Sequence, residues 1–332
     1  MEFDLPAVLA GYSKDKLIME KLDESKRHIK AVGQALFVAF LWSTSWVLIK
    51  IGIRENLPPV TFAGLRYTLA FFCLMPLILL NKNHLIELRN ISSFNFVQLT
   101  ILGVVFYALT QGAQFVSLAY LPAATLTLLL NLSPILVAVI SNSFGSESPT
   151  KYQWGGIFLS ATGILVYFYP VSLPASQIIG LTVAIIGVAA TSISSLLGRR
   201  INHRSGLSPI IVTTISMGVG GLLLLASGIF MQGFGQITLN HWLIIGWLAI
   251  VNTAFAFPLW NASLQELTAT ESSVINSTMM PQIAILAWLF LNEPLTAKQI
   301  AGIFLVGIGT LIVQLSRYLP ISLNPFRKQS ME

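Results

Sequence analysis

The amino-acid sequence predicts an all-α integral membrane protein with ten transmembrane helices, arranged as two inverted five-helix repeats. Three observations carry that prediction. Hydrophobic residues make up 55% of the 332 and charged residues only 10%, whereas a water-facing surface needs about 25% charged residues. The apolar residues fall in ten runs, each near the roughly 20 residues that cross a bilayer as a helix. A string in the first half also returns in the second at a fixed spacing. Nineteen Lys+Arg and thirteen Asp+Glu cannot cover a soluble globule of 36.3 kDa, but they can decorate the loops of a membrane protein.

Residues 1–30 mix acids and bases up to Lys26, Arg27 and Lys30. They read as a cytoplasmic tail, partly helical and close to the membrane. The acidic start and the long run that follows do not fit a signal peptide. The apolar segments lie at about 31–53, 59–80, 96–119, 122–143, 153–170, 177–198, 208–231, 241–264, 270–291 and 297–316. None shows the alternation of a barrel strand. Their connections are short and rich in Pro, Asn, Ser or Gly, and residues 318–332 form a second cytoplasmic tail.

The positive charges set the orientation. With the amino terminus inside, fifteen Lys and Arg fall in internal loops and tails, and only Lys50, Arg54 and Lys298 fall outside. Arg66 lies within helix 2. Both termini are therefore expected in the cytoplasm, in a multi-pass cell (inner) membrane protein.

The repeat is explicit. GIFLSATG at 156–163 and GIFLVGIG at 302–309 share Gly-Ile-Phe-Leu-x3-Gly at an offset of 146. The same offset pairs Glu147 with Glu293 and Gln153 with Gln299, and Pro134 and Pro281 fall at 147. The expected units are 31–171 (helices 1–5) and 177–317 (helices 6–10). Five is odd, so the second unit enters the membrane from the opposite side. That supplies two nearly equivalent states for alternating access.

The stretch LWSTSWVLIKIGIRENLPPVTFAGLRYTLA, residues 41–70, contributes Trp42, Ser43, Lys50, Pro58 or Pro59, and Arg66. A second signature joins a Pro281-containing helix to Glu293–Thr296 and a glycine-rich last helix at Gly302. On these motifs the chain resembles the drug/metabolite transporter superfamily, in its ten-helix EamA-type branch, over about residues 31–317. SFGSESPT at 143–150 departs from the family's usual Gly-Glu pair, and the N-tail is longer than usual. The resemblance implies a central cavity lined by helices of both halves, and export of amino acids or related metabolites.

Polar groups deep in membrane helices normally face the bundle interior. The candidate substrate-binding residues are Trp42, Ser45, Trp46, Tyr107, Gln111, Gln114, Asn131, Asn252, Trp260 and Asn276. On a regular helix Tyr107, Gln111 and Gln114 share a face at i, i+4, i+7. The bland alternative is that such groups only bond neighbouring helices as packing glue. Lys50, near the external end of helix 1, can snorkel to the interface. Arg66 stands about seven residues, or roughly 10 Å, into helix 2. The two read as a charged mouth, which either serves a structural ion pair or headgroup or attracts a substrate carboxylate or phosphate.

No Asp or Glu is expected at midmembrane, and His28, His84, His203 and His241 sit at helix edges. A buried proton carrier, a metal site and a cofactor are therefore not expected. Lone Cys73 excludes a disulfide. An intramembrane enzyme would need clustered acid–base groups and a channel a filter; neither pattern is visible, so neither is expected. No Walker motif points to ATP, and the basic excess shows no nucleic-acid stripe. Expected partners are the bilayer and a small-molecule substrate, and a homodimer is compatible with the sequence. The competing readings are a nucleotide-sugar or sugar-phosphate exchanger and a non-transporting scaffold.

Overall fold

The computed structural model describes residues 5–133, 135–137, 140, 150–169, 174–267 and 275–315; Pro134, Glu147 and Ser272 are among the positions outside them. Among the described residues there are helices and no strands. The first helix, α1 (Leu5–Arg54), runs unbroken through the expected tail into the membrane segment. It is followed by α2 (Pro59–Leu79), α3 (Lys82–Arg89) and α4 (Ser93–Tyr120). Next come α5 (Ala123–Leu130), α6 (Lys151–Phe168), α7 (Ala175–Arg204) and α8 (Pro209–Gln232). The chain continues through α9, from Leu239 to Glu266, to α10 (Met279–Leu291) and α11 (Ala297–Leu315). Six of these contain spans long and apolar enough to cross a membrane, and shorter apolar helices supply the rest. The architecture is that of a ten-helix membrane protein. The short α3 was not expected; it is tied to the start of α8, where the Glu87 carboxylate accepts from Ser208 N.

The surface is the inverse of a soluble protein's. Phe72, Phe158, Ile185, Leu222, Leu243 and Phe304 are exposed, while Ser43, Thr110, Ser192 and Asn252 are fully buried. Only lipid can cover such an outer face, and polar groups in hydrocarbon must find partners inside.

Several helix starts are locally encoded. Pro59 opens α2 at a position whose N–H would be unpaired anyway. The Thr150 hydroxyl accepts from Gln153 N while Gln153 Oε1 accepts from Thr150 N at 2.8 Å. Residues 146 further on the same box recurs, with Thr296 N donating to Gln299 Oε1 at 2.9 Å and Gln299 N donating to Thr296 Oγ1 at 3.3 Å. The spacing read in the sequence therefore has a structural counterpart.

The packing has the same regularity. Exchanging the first five spans for the last five turns α1–α10 and α1–α9 into α7–α5 and α7–α4, turns α4–α8 into α9–α2, and leaves α2–α8 and α6–α11 unchanged. All of these pairs are in contact. Along α6 and α11, a Cβ built on Gly156 would lie 2.6 Å from Gly309 O, and one on Gly163 would lie 2.8 Å from Gly302 O. Gly156 corresponds to Gly302 and Gly163 to Gly309 in the repeat, so each contact is the other's image. The two helices run antiparallel, with backbones close enough that only glycine fits.

Candidate functional site

Two helices lose their regular winding at related places. In α4, Gly103–Gln111 is a π-helix; in α9, Ile250–Phe255 is another. The 146-residue offset carries 103 to 249 and 107 to 253, so the irregular stretches overlap in the repeat. In each, a buried threonine hydroxyl takes a carbonyl five residues back, Thr110 from Val105 at 3.0 Å and Thr253 from Leu248 at 2.8 Å. π-turns inside α-helices are frequently at functional sites.

The α9 π-segment is held to α1 by side chains. Asn252 Nδ2 donates to Leu41 O, to Ser45 Oγ at 2.8 Å and to Thr44 Oγ1 at 3.2 Å. Trp42 Nε1 returns a bond to Asn252 O at 3.1 Å. The Asn252 Oδ1 is buried and unpartnered, a cost of about 1–3 kcal/mol at this seam. Beside it Trp42 meets Trp260 with ring centroids 5.1 Å apart and Phe257 at 5.4 Å. Ser43, on the same helix, donates to Gln282 Oε1 of α10 at 2.9 Å.

Arg66 of α2 completes this centre. It is 6% exposed, its Nε donates to Thr253 Oγ1 at 3.2 Å, and its guanidinium carbon lies 5.1 Å from the centre of the Tyr67 ring. Tyr67 OH donates to Gln111 Oε1 at 2.7 Å, and the Tyr67 and Tyr107 rings stand 5.4 Å apart. Arg66, Thr253, Tyr67, Tyr107 and Gln111 are thus one connected group, joining both π-segments through α2.

A second polar cluster ties three segments together. Lys50 Nζ donates to Leu118 O and, at 2.7 Å, to Leu121 O, in the turn from α4 to α5. Arg54 donates to Leu291 O at 2.7 Å and meets Glu293 at 3.2 Å. The second Glu293 oxygen accepts from Ala123 N, the first residue of α5, at 2.8 Å. Three segments are knotted: the end of α1, the α4–α5 turn, and the turn between α10 and α11.

The sequence-derived candidates divide accordingly. Trp42, Ser45, Asn252 and Trp260 form the α1–α9 seam, while Tyr107 and Gln111 belong to the Arg66 group. Trp46 packs against the main hydrophobic core. Gln114 is partly exposed; the regular-helix spacing that grouped it with Tyr107 does not hold across the π-turns. Asn131 donates to Thr127 O at 2.9 Å, a bond within its own helix end. Asn276 is exposed. The two cations grouped as a mouth are separate: Lys50 is tied to carbonyls in the knot, and Arg66 lies in the central group. Sequence reasoning did not select Tyr67, Thr253, Arg54 or Glu293. Only adjacency to Arg66 and Asn252 signalled the first two.

The family model described as "EamA-like transporter family" matches residues 29–169 and 178–315, one copy on each half. The uncharacterized transporter YvbV of Bacillus subtilis is 28% identical over 84% of this chain and 90% of its own length. An uncharacterized transporter of Archaeoglobus fulgidus is 28% identical over 86% and 98%. The uncharacterized inner membrane transporter YedA of Escherichia coli K12 is 24% identical over 88% and 94%. A crystal structure superimposes with a TM-score of 0.59 at 15% identity, covering 85% of this chain and 98% of that one, a likeness of fold.

Proposed function

The chain belongs to the EamA-like transporter family, and on that premise we propose that it carries small amphipathic metabolites, amino acids or their relatives, out of the cell by alternating access. The observation that carries this reading is the meeting of two related π-segments at a buried polar and aromatic group, while a separate knot ties three segments at one end. The packing pairs that survive exchange of the halves, and the antiparallel Gly156–Gly309 and Gly163–Gly302 approaches, support two halves inserted in opposite directions. Such a pair has two near-equivalent arrangements, and the substrate sits where the halves meet. The excess of Lys and Arg on alternate loops supports cytoplasmic termini in the cell membrane; in that orientation the Glu293 knot faces outward. A nucleotide-sugar or sugar-phosphate exchanger would need several internal cations, and the central group contains one.

Purified protein in liposomes, offered labelled neutral amino acids, amines, organic anions and sugar phosphates, tests the reading. Movement of amino acids is the expected result; movement of sugar phosphates alone would replace the substrate class. Tyr67→Phe separates transport from packing, because it keeps the ring and deletes the bond to Gln111. Transport should fall severalfold, with the melting temperature lowered only by the loss of one hydrogen bond. A scaffold would show no labelled flux in either protein.

A further inference from the structure

We propose that Arg66 binds the carboxylate of the transported molecule, so that the counter-ion this buried guanidinium lacks among the described residues is the substrate itself. This deepens the transport reading and rests on it. The first ground is electrostatic. Arg66 is buried at 6% exposure in a span of Pro59–Leu79, and a guanidinium there stays charged. Leaving a buried charge unpaired is strongly destabilising, and intramembrane ionisable groups normally have a partner. The acids among the described residues beyond the N-terminal stretch are engaged or distant in function: Glu55 meets His241 at 3.2 Å, Glu87 accepts from Ser208 N, Glu293 serves Arg54 and Ala123, and Glu266 is exposed at the end of its helix. None pairs with Arg66.

The second ground is the geometry of donors. Of the five N–H groups on a guanidinium, Arg66 has one hydrogen bond among the described residues, from Nε to Thr253 Oγ1. The Thr253 hydroxyl spends its own proton on Leu248 O, so it accepts from Arg66 and fixes the guanidinium by its inner edge. That leaves the terminal nitrogens, the fork that matches a carboxylate with two parallel bonds. Tyr67 supports the guanidinium with its ring and donates its hydroxyl to Gln111 Oε1. With its oxygen occupied, the Gln111 amide presents its NH₂ as a further donor in the same group. A positioned cation with a neutral donor in the same connected group, and no acid among the described residues paired with it, is a receptor for one negative charge. Lys50, bonded to Leu118 O and Leu121 O, is not such a group. An amino acid or a simple organic acid fits; an amine does not.

Two measurements test this. In liposomes, flux of phenylalanine is compared with that of phenylalaninamide and phenethylamine, for wild type and Arg66→Gln. Wild type should favour the acid, and Arg66→Gln should lose about tenfold or more of acid flux, as expected for one charge-assisted contact, so that its acid-to-amide flux ratio falls toward one. Equal wild-type flux of acid and amide, or full acid flux in Arg66→Gln, would overturn the assignment and leave the transport reading intact. If none of the compounds moves, the transport reading fails for this class, and the second measurement decides the assignment. Detergent-solubilised protein is melted with and without millimolar phenylalanine, benzoate and acetate. A receptor Arg66 gives an Arg66→Gln protein at least as stable as wild type without ligand, and a carboxylate-dependent rise in melting temperature in wild type only. A less stable variant together with no carboxylate-dependent rise in wild type makes Arg66 a structural group.

Discussion

Replacing Gly220 with alanine is expected to be the most damaging single-methyl change in this protein. A Cβ at 220 would lie 2.1 Å from Gly103 O and 2.5 Å from Tyr107 Cβ. The nearest obstacle is backbone, so no rotamer change relieves it; α8 and α4 must separate. Adding a methylene to a packed interior typically costs about 1–3 kcal/mol, occasionally more. A backbone-to-backbone clash belongs at or above the top of that range. Displacement of α4 also has a functional consequence, because Gly103 opens its π-segment and Tyr107 lies within it. Moving either disturbs the Tyr67–Tyr107 contact behind Arg66. Gly246→Ala is the matched control, since a Cβ there meets nothing within 4 Å and alanine is the better helix former. Thermal unfolding in detergent should show a large drop for Gly220→Ala and none for Gly246→Ala. Equal melting temperatures for all three proteins would mean that α4 and α8 do not approach as described.

The contrast between these two glycines marks what the sequence could reveal. Apolar run length exposes the spans, because hydrocarbon thickness imposes it on every helix alike. The repeat is legible for a similar reason: the α6–α11 crossing needs glycine at Gly156, Gly163, Gly302 and Gly309, and a steric requirement leaves a fixed string. A π-turn leaves no such mark. It adds one residue to a turn without altering composition, so Gly103–Gln111 and Ile250–Phe255 look like ordinary apolar helix, and the face assigned to Tyr107, Gln111 and Gln114 came from the wrong winding. Long-range bonds were equally invisible. Nothing near Glu293 announces Arg54, 239 residues away, and Lys50 beside helix-terminal carbonyls reads the same as a snorkelling lysine. Arg66 was legible as an expensive residue, but that none of the described acids pairs with it needed the fold. Asn131 Nδ2 bonds the Thr127 carbonyl of its own helix, a local contact that composition does not distinguish from one between helices.

If the knot keeps this end of the bundle closed, Glu293→Ala should open it, and the two bonds of Glu293 predict how much of the effect follows charge. Arg54 is 47% exposed on its side chain against 12% for Glu293, so water screens that arm, and exposed pairs contribute about 0.2–1 kcal/mol. The Ala123 N–H to carboxylate bond at 2.8 Å joins a charged acceptor to the first turn of α5. Such a bond contributes about 1.5–3 kcal/mol, and the helix N-terminus favours a negative charge. Alanine removes both arms. Glutamine keeps an oxygen to accept from Ala123 N and loses the ion pair. Every 1.4 kcal/mol of bias between closed and open arrangements is a tenfold change in their ratio. With Cys73 replaced by serine and Ala123→Cys as the reporter, labelling by a membrane-impermeant maleimide should therefore accelerate about tenfold or more in Glu293→Ala. The increase in Glu293→Gln should be only a few fold. Ala123 is fully buried, so slow wild-type labelling is the baseline. Transport should fall in the same order, since a carrier biased toward one arrangement spends less time in the other. Equal labelling rates in all three proteins would show that the knot does not hold this end closed. A glutamine variant as fast as the alanine one would assign the closure to the Arg54 pair instead of to the α5 N-terminus.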